Sequence, residues 1–211
     1  MTAGRAAALT LLALAACAPT APAPEPPPGP PPALATPNGP SCAAALDEAG
    51  ARWEPAPDRS GPGRCRLADA VQLSHAGVAL DQPATLACAM AERLLAFERE
   101  VVEPAARKHF GRALTRIRQI GTYSCRVRPD GRTISQHAFG MAIDIAGFDL
   151  EGGIRIDVAD SWRARGARSA FLHEVAAGAC RMFDVVLTPN SDRFHQNHLH
   201  LDLGKDKRCD A

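Results

Sequence analysis

Eleven of the 18 prolines lie between Pro19 and Pro40. Proline fixes φ and carries no amide proton, so the run Ala18 to Pro40, APTAPAPEPPPGPPPALATPNGP, can build neither a helix nor a core. It favours extended polyproline II, and 23 residues of that form reach on the order of 70 Å. The segment therefore reads as a semi-rigid spacer. Beyond it lie the 171 residues Ser41 to Ala211, a comfortable size for one domain. At 46% hydrophobic residues the chain has material for one core. Lys plus Arg number 24 against 23 Asp plus Glu, a net charge of +1. That balance makes no electrostatic case for binding nucleic acid.

The residues before the spacer read as an address. Arg5 supplies a positive charge, and Ala6 to Ala16 is an apolar run of 11 residues. A membrane span needs roughly 20, so the run suits a signal peptide over residues 1–16. It ends in Leu14-Ala15-Ala16-Cys17, which resembles the lipobox of bacterial lipoproteins. That resemblance implies a lipidated Cys17, with residues 17–40 as anchor and linker to a domain at 41–211. Ala18 follows the cysteine where the inner-membrane retention signal has Asp, which implies the periplasmic side of the outer membrane. The plainer alternative is a secretory signal cut after an alanine, with Cys17 incidental.

Cys42, Cys65, Cys88, Cys125, Cys180 and Cys209 remain, an even number in an exported chain. They read as three disulfides. The sequence does not choose among the possible connectivities. The working assignment is Cys42–Cys65, Cys88–Cys125 and Cys180–Cys209, the last tying the chain end to a helix. No C-x-x-C spacing supports a zinc–thiolate site, and oxidised cysteines cannot act as nucleophiles.

Residues 41–82 read as irregular, with a short helix at Cys42 to Gly50 and a strand at Ala70 to Leu73. Thr85 to Phe110 carries Leu86, Met90, Leu94, Leu95, Val101 and Val102 at helical spacing, with Pro104 expected to kink or split the helix. Leu114 to Val127, Gly140 to Phe148, Ile154 to Val158, Val185 to Leu187 and Asn197 to Leu203 read as strands. Pro129-Asp130-Gly131 marks a turn, and Ser161 is positioned to cap a helix running to Phe183. These elements predict a single α+β domain with a mainly antiparallel sheet flanked by helices.

Four of the seven histidines lie in two clusters, Ser135-Gln136-His137-Ala138-Phe139-Gly140-Met141-Ala142-Ile143-Asp144 and His195-Gln196-Asn197-His198-Leu199-His200-Leu201-Asp202. On a strand, Leu199, Leu201 and Leu203 share one face, and His198, His200 and Asp202 share the other. Imidazole is the commonest zinc ligand, though solvent exposure alone could explain such a face. His137 and Asp144 are seven apart, which on a flat strand would place them on opposite faces. Gly140 allows a turn or bulge that brings both to one point. Together the clusters offer the two-His, one-carboxylate set of catalytic zinc sites, which leave one position for a water of lowered pKa.

The pattern S-x-H-x-x-G-x-A-x-D followed by H-x-H resembles the metallopeptidases grouped with lysostaphin, D-alanyl-D-alanine carboxypeptidases and sonic hedgehog. Within that group the chain most resembles the bacterial extensin-like C-terminal domain family, over about Cys42 to Asp202 and including the GTYSCR segment. The resemblance implies a hedgehog- or DD-peptidase-like fold. It implies zinc on His137, Asp144 and His200, with His198 as general base and His195 orienting water or substrate. By it, Arg126 would hold a substrate carboxylate or an oxyanion, Asp202 would support a ligand, and Ser135 would hydrogen-bond near the metal. The catalytic Glu of the dipeptidase relatives is here Asn197, and His195 and His198 instead match the H-x-x-H-x-H of murein endopeptidases.

Two classes of function follow. One is a zinc peptidase acting on peptidoglycan peptides, of D-alanyl endopeptidase or carboxypeptidase type. The other is a non-catalytic wall-binding or structural envelope module that keeps zinc for stability. His75, His109 and His173 lack partners at ligand spacing and read as structural. Arg116, Arg118, Arg126, Arg128 and Arg132 read as a solvated strand face, with an anionic wall polymer as the sharper alternative.

Overall fold

A central sheet carries the site, and the alternation of apolar residues along its strands explains which face is buried. The computed structural model describes residues 1, 42–61 and 63–211. Apart from Met1, the expected signal peptide, and with it Cys17 and the whole spacer, lie outside the described residues. Among the described residues no helix is long and apolar enough to cross a membrane.

Helix α1 (Cys42–Glu48) is followed by β1 (Arg52–Pro55), β2 (Arg59–Ser60), β3 (Arg66–Leu67), β4 (Ala70–Ala76) and β5 (Val78–Ala87). Helix α2 (Cys88–Phe97) runs through a π-helical turn, Glu98–Val102, into α3 (Glu103–Phe110). Then come β6 (Leu114–Gly121), a 3-10 turn (Gln136–Phe139), β7 (Ala142–Leu150) and β8 (Ile154–Asp157). The chain closes with α4 (Val158–Ser161), α5 (Ala167–Ala179), β9 (Val185–Leu187), β10 (Leu199–Asp202) and β11 (Arg208–Cys209). Nine strands form one sheet in the order β1-β4-β5-β6-β7-β10-β9-β11, with β8 also on β7; β2 and β3 pair apart. Among the described residues only β5–β6 and β9–β11 are parallel, so the domain is α+β with a mainly antiparallel sheet.

Residues 41–82 are more ordered than their sequence suggests. They supply β1, β4 and the first part of β5, and the expected helix start at Thr85 is still strand. Pro83 is tolerated inside β5 because its ladder to β6 is confined to Ala79 and Leu80, and the ladder to β4 shifts register near Leu73. The helical spacing from Met90 onward is realised: Met90, Leu94, Leu95, Val101 and Val102 are all buried. Pro104 lies in the first turn of α3, directly after the π-helical turn at which the long helix changes its hydrogen-bonding pattern without leaving helical backbone. The helix expected from Ser161 to Phe183 is shorter: Ser161 is the last residue of α4, and α5 runs only from Ala167 to Ala179, after Gly166 at φ +102°. Arg118 is buried, not solvated: it bonds Asp149 at 2.9 Å, Asp157 at 2.5 Å and the Ile156 carbonyl at 2.9 Å.

Two disulfides differ from the working assignment. Cys42 is bonded to Cys88 and Cys65 to Cys125, in place of Cys42–Cys65 and Cys88–Cys125; Cys180 is bonded to Cys209. The reason is topological. Helix α1 packs on α2, which carries Cys88, while β3 packs against the 3-10 turn beside Cys125. Neighbours in sequence are not neighbours in space here.

Glu98 is buried at the start of the π-helical turn, its carboxylate packed over Gly77. Burial, reinforced by Glu103 and opposed by Arg99, raises its pKa from 4.5 to about 7. A carboxyl whose pKa is raised on folding stabilises the fold below its unfolded pKa, and that contribution is lost as pH rises through the folded value. Glu98→Gln is therefore expected to stabilise the protein relative to wild type at pH 8 by about 3 kcal/mol and to have little effect near pH 4. Denaturant melts at the two pH values check this.

Candidate metal centre

Strand β10 sets His200 against Asp144 of β7 in register. Cross-strand partners share a face, so the imidazole meets the carboxylate, with Nδ1 2.8 Å from Oδ1. Leu199 and Leu201 fill the opposite face and are fully buried. His137 reaches the same point from the 3-10 turn. Gly140 ends that turn at φ +65°, and a Cβ there would lie 2.7 Å from the Ala87 amide, so only glycine fits. The amide it would strike donates to Gly140's own carbonyl at 3.0 Å. Ser135 begins the turn, its hydroxyl accepting from the His137 amide at 3.4 Å.

His137 Nε2 lies 3.2 Å from His200 Nδ1 and 3.2 Å from Asp144 Oδ2. One donor atom from each of the three residues lies within 4.8 Å of the others, a grouping able to hold a metal ion. The surrounding partners fix which nitrogen faces inward. His137 Nδ1 donates to the Thr122 carbonyl at 2.6 Å, which leaves Nε2 as the atom able to bind a metal. His200 Nε2 donates to Asp202 Oδ2 at 2.9 Å, which leaves Nδ1. Asp202 is itself held by the Gly204 amide at 2.9 Å. Three electron-rich atoms thus converge in a buried place, and such a set needs a proton or a cation between its members. The donor chemistry fits a metal.

His198 stands next to this set, Nε2 3.5 Å from Asp144 Oδ1, while its Nδ1 donates to Asn197 Oδ1 at 2.9 Å. The His195 ring packs 5.2 Å from that of His198 and 5.8 Å from that of His200, and its Nδ1 donates to Asp192 at 2.8 Å. Arg126 is exposed and places Nη2 3.9 Å from Asp144 Oδ2. A second grouping, Cys42, Cys88 and Glu92, offers no thiolate because its cysteines are bonded to each other.

Residues 40–210 match the family model described as extensin-like protein C-terminus. The chain belongs to this family. No curated protein and no solved structure matches it.

The electrostatics of this extensin-like domain follow from its geometry. Burial alone would raise the Asp144 pKa, but hydrogen bonds and charge from His137 and His200 hold it far below the ordinary carboxylate range. Burial works against a charged His200, yet Asp144 and Asp202 on its two nitrogens raise its pKa to about 9. His198 goes the other way: burial, with the neighbouring histidines, lowers it to about 4 against the pull of Asp144. His198 is therefore neutral at pH 7 while His200 holds a proton.

Three contributors were not visible as such in the sequence. Thr122 acts through its backbone, which no side-chain pattern reports. Asn197 fixes the tautomer of His198. Gly121 pairs with Asp144 across β6–β7, at a bulge that leaves Ile120 exposed, and a Cβ on it would lie 2.7 Å from Asp144 Oδ2.

His200 must give up its proton to bind a metal, so affinity is expected to fall about tenfold per pH unit below about pH 9. Competition with a chromophoric chelator over pH 6 to 8 measures this. In the same assay His200→Ala is expected to abolish site binding, and Asp202→Asn to weaken it about tenfold or more.

Proposed function

We propose that the protein is a zinc-dependent hydrolase of peptidoglycan peptides, cutting D-alanyl linkages as an endopeptidase or carboxypeptidase. The reading places it on the periplasmic side of the outer membrane, as a lipoprotein anchored through Cys17. The observation that carries it is the position of neutral His198 beside the His137, Asp144 and His200 grouping. The proposed likeness to the D-alanyl peptidase group supplies the reaction class, and the two-His, one-carboxylate donor set suits zinc.

Zinc, when bound, supplies a polarised water and a Lewis acid for the peptide carbonyl. The chain's own residues do the rest. His198 Nε2 is free to accept a proton from the attacking water, since Nδ1 is committed to Asn197. It then returns that proton to the leaving amine. His195, oriented by Asp192, stacks near His198 and limits how water and substrate approach it. Arg126 offers an exposed guanidinium close to Asp144, placed to hold a carboxylate or the developing oxyanion. A lipid anchor with a long spacer would confine the domain near its polymer.

One observation favours a second reading. A histidine lowered to about 4 is a weak proton acceptor, as a wall-binding module that keeps its metal for stability would tolerate. Zinc-loaded, oxidised protein with cross-linked and uncross-linked muropeptides separates the two, with products followed by mass spectrometry. Hydrolysis is expected only with zinc present. His198→Ala is expected to lower kcat by about 10²–10⁴-fold while zinc affinity is kept. Murein retention without any product would favour the binding module.

A further inference from the structure

After β6 the chain leaves the sheet, and Thr122 to Arg126 lies in no strand or helix. Ser124, Cys125 and Arg126 are exposed. Yet this segment orients His137 twice. Its Thr122 carbonyl accepts from the ring at 2.6 Å, and its Ser124 amide donates to the His137 carbonyl at 3.0 Å. The Ser135 amide, at the start of the same 3-10 turn, donates to the Arg126 carbonyl at 3.1 Å.

Thr122 and Tyr123 are half-buried, and the Tyr123 amide donates to the Thr85 carbonyl of β5 at 3.1 Å. The exposed part, Ser124 to Arg126, has no strand ladder, and such a part frays unless it is restrained. The β2–β3 ribbon adds a covalent restraint there. Cys65 of the ribbon is bonded to Cys125, and the Arg59 guanidinium lies 5.4 Å from the Tyr123 ring centre. The ribbon passes close against the bond: a Cβ on Gly61 would lie 3.1 Å from Cys125 Sγ. The ribbon itself is rooted. Cys65 and Leu67 are buried, and the Ala70 amide donates to Asp58 at 3.2 Å. The other disulfides join α1 to α2 and the end of α5 to β11, so neither reaches the segment that orients His137.

We infer that the Cys65–Cys125 disulfide is a positioning element of the metal centre, holding Thr122 and Ser124 against His137 and thereby setting metal affinity. The inference rests on the metal-centre reading. Outer partners that orient a ligand imidazole are worth about 10–100-fold in metal affinity, and here the outer partner is backbone whose place a covalent bond secures.

The test measures zinc affinity of the full, oxidised protein by chelator competition, beside its melting temperature and the ¹⁵N imidazole shifts of His137. The double variant Cys65→Ala/Cys125→Ala is expected to bind zinc about tenfold or more weakly and to lose the fixed Nδ1–H tautomer of His137. Cys180→Ala/Cys209→Ala is expected to melt lower with zinc affinity within about twofold of wild type. Unchanged affinity in the first variant overturns the inference. If that variant does not fold, the pair Cys65→Val/Cys125→Ser, which keeps apolar volume at the buried Cys65 and a polar group at the exposed Cys125, decides: about tenfold weaker binding is expected, and unchanged binding overturns the inference. Wild-type protein that binds no zinc overturns the metal centre itself, and this inference with it.

Discussion

The contact between His200 and Asp144 is the constraint around which the rest of the domain is arranged. It joins β10 to β7 in the middle of the sheet and faces away from the leucines that secure β10 to the core. Taking an imidazole and a carboxylate out of water is costly unless both are paired. The protein meets that cost with a further layer: Asp202 behind His200, His137 across from both, and the Thr122 carbonyl behind His137. Each of those partners requires local geometry of its own. His137 needs the left-handed Gly140, and Asp144 needs the bare Gly121 opposite it. Thr122 needs its segment held in place, by the Thr85 carbonyl of β5 on the next amide and by the bond from Cys125 to Cys65.

The same arrangement sets neighbouring histidines to opposite behaviour. His200 has a carboxylate on each ring nitrogen and is raised, whereas His198 shares the burial but has an amide oxygen on Nδ1 and is lowered. Two residues apart on one chain, they would divide the work between ligand and proton acceptor in the proposed reaction.

Much of this was legible in the sequence because strand periodicity is a local property. The alternation of His198, His200 and Asp202 with Leu199 and Leu201 placed the polar groups on one face, and β10 shows His200 and Asp202 there, with His198 just before the strand. Gly140 between His137 and Asp144 signalled a break in the strand, and a 3-10 turn occupies the place. The long apolar spacing from Met90 to Val102 marked the helical wall of the core. What failed was non-local. Residues 41–82 have weak patterning, since β1 is mostly exposed and β5 carries a proline, so their membership in the sheet shows only once β4 and β6 flank them. Disulfide pairing depends on which elements meet in space, and sequence order misassigned Cys42, Cys65, Cys88 and Cys125. Thr122 contributes a carbonyl that any residue could supply. Gly121 contributes an absence of side chain that matters only opposite Asp144.

His137, Asp144 and His200 form a grouping able to hold a metal ion, and the proposed function requires that they do. Zinc K-edge X-ray absorption of the stoichiometrically loaded protein tests it most directly. The expected spectrum shows about four light atoms near 2.0–2.1 Å around zinc, with the multiple-scattering signature of two imidazoles and no sulfur. A sulfur scatterer near 2.3 Å, or an oxygen-only shell without imidazole scattering, would contradict it.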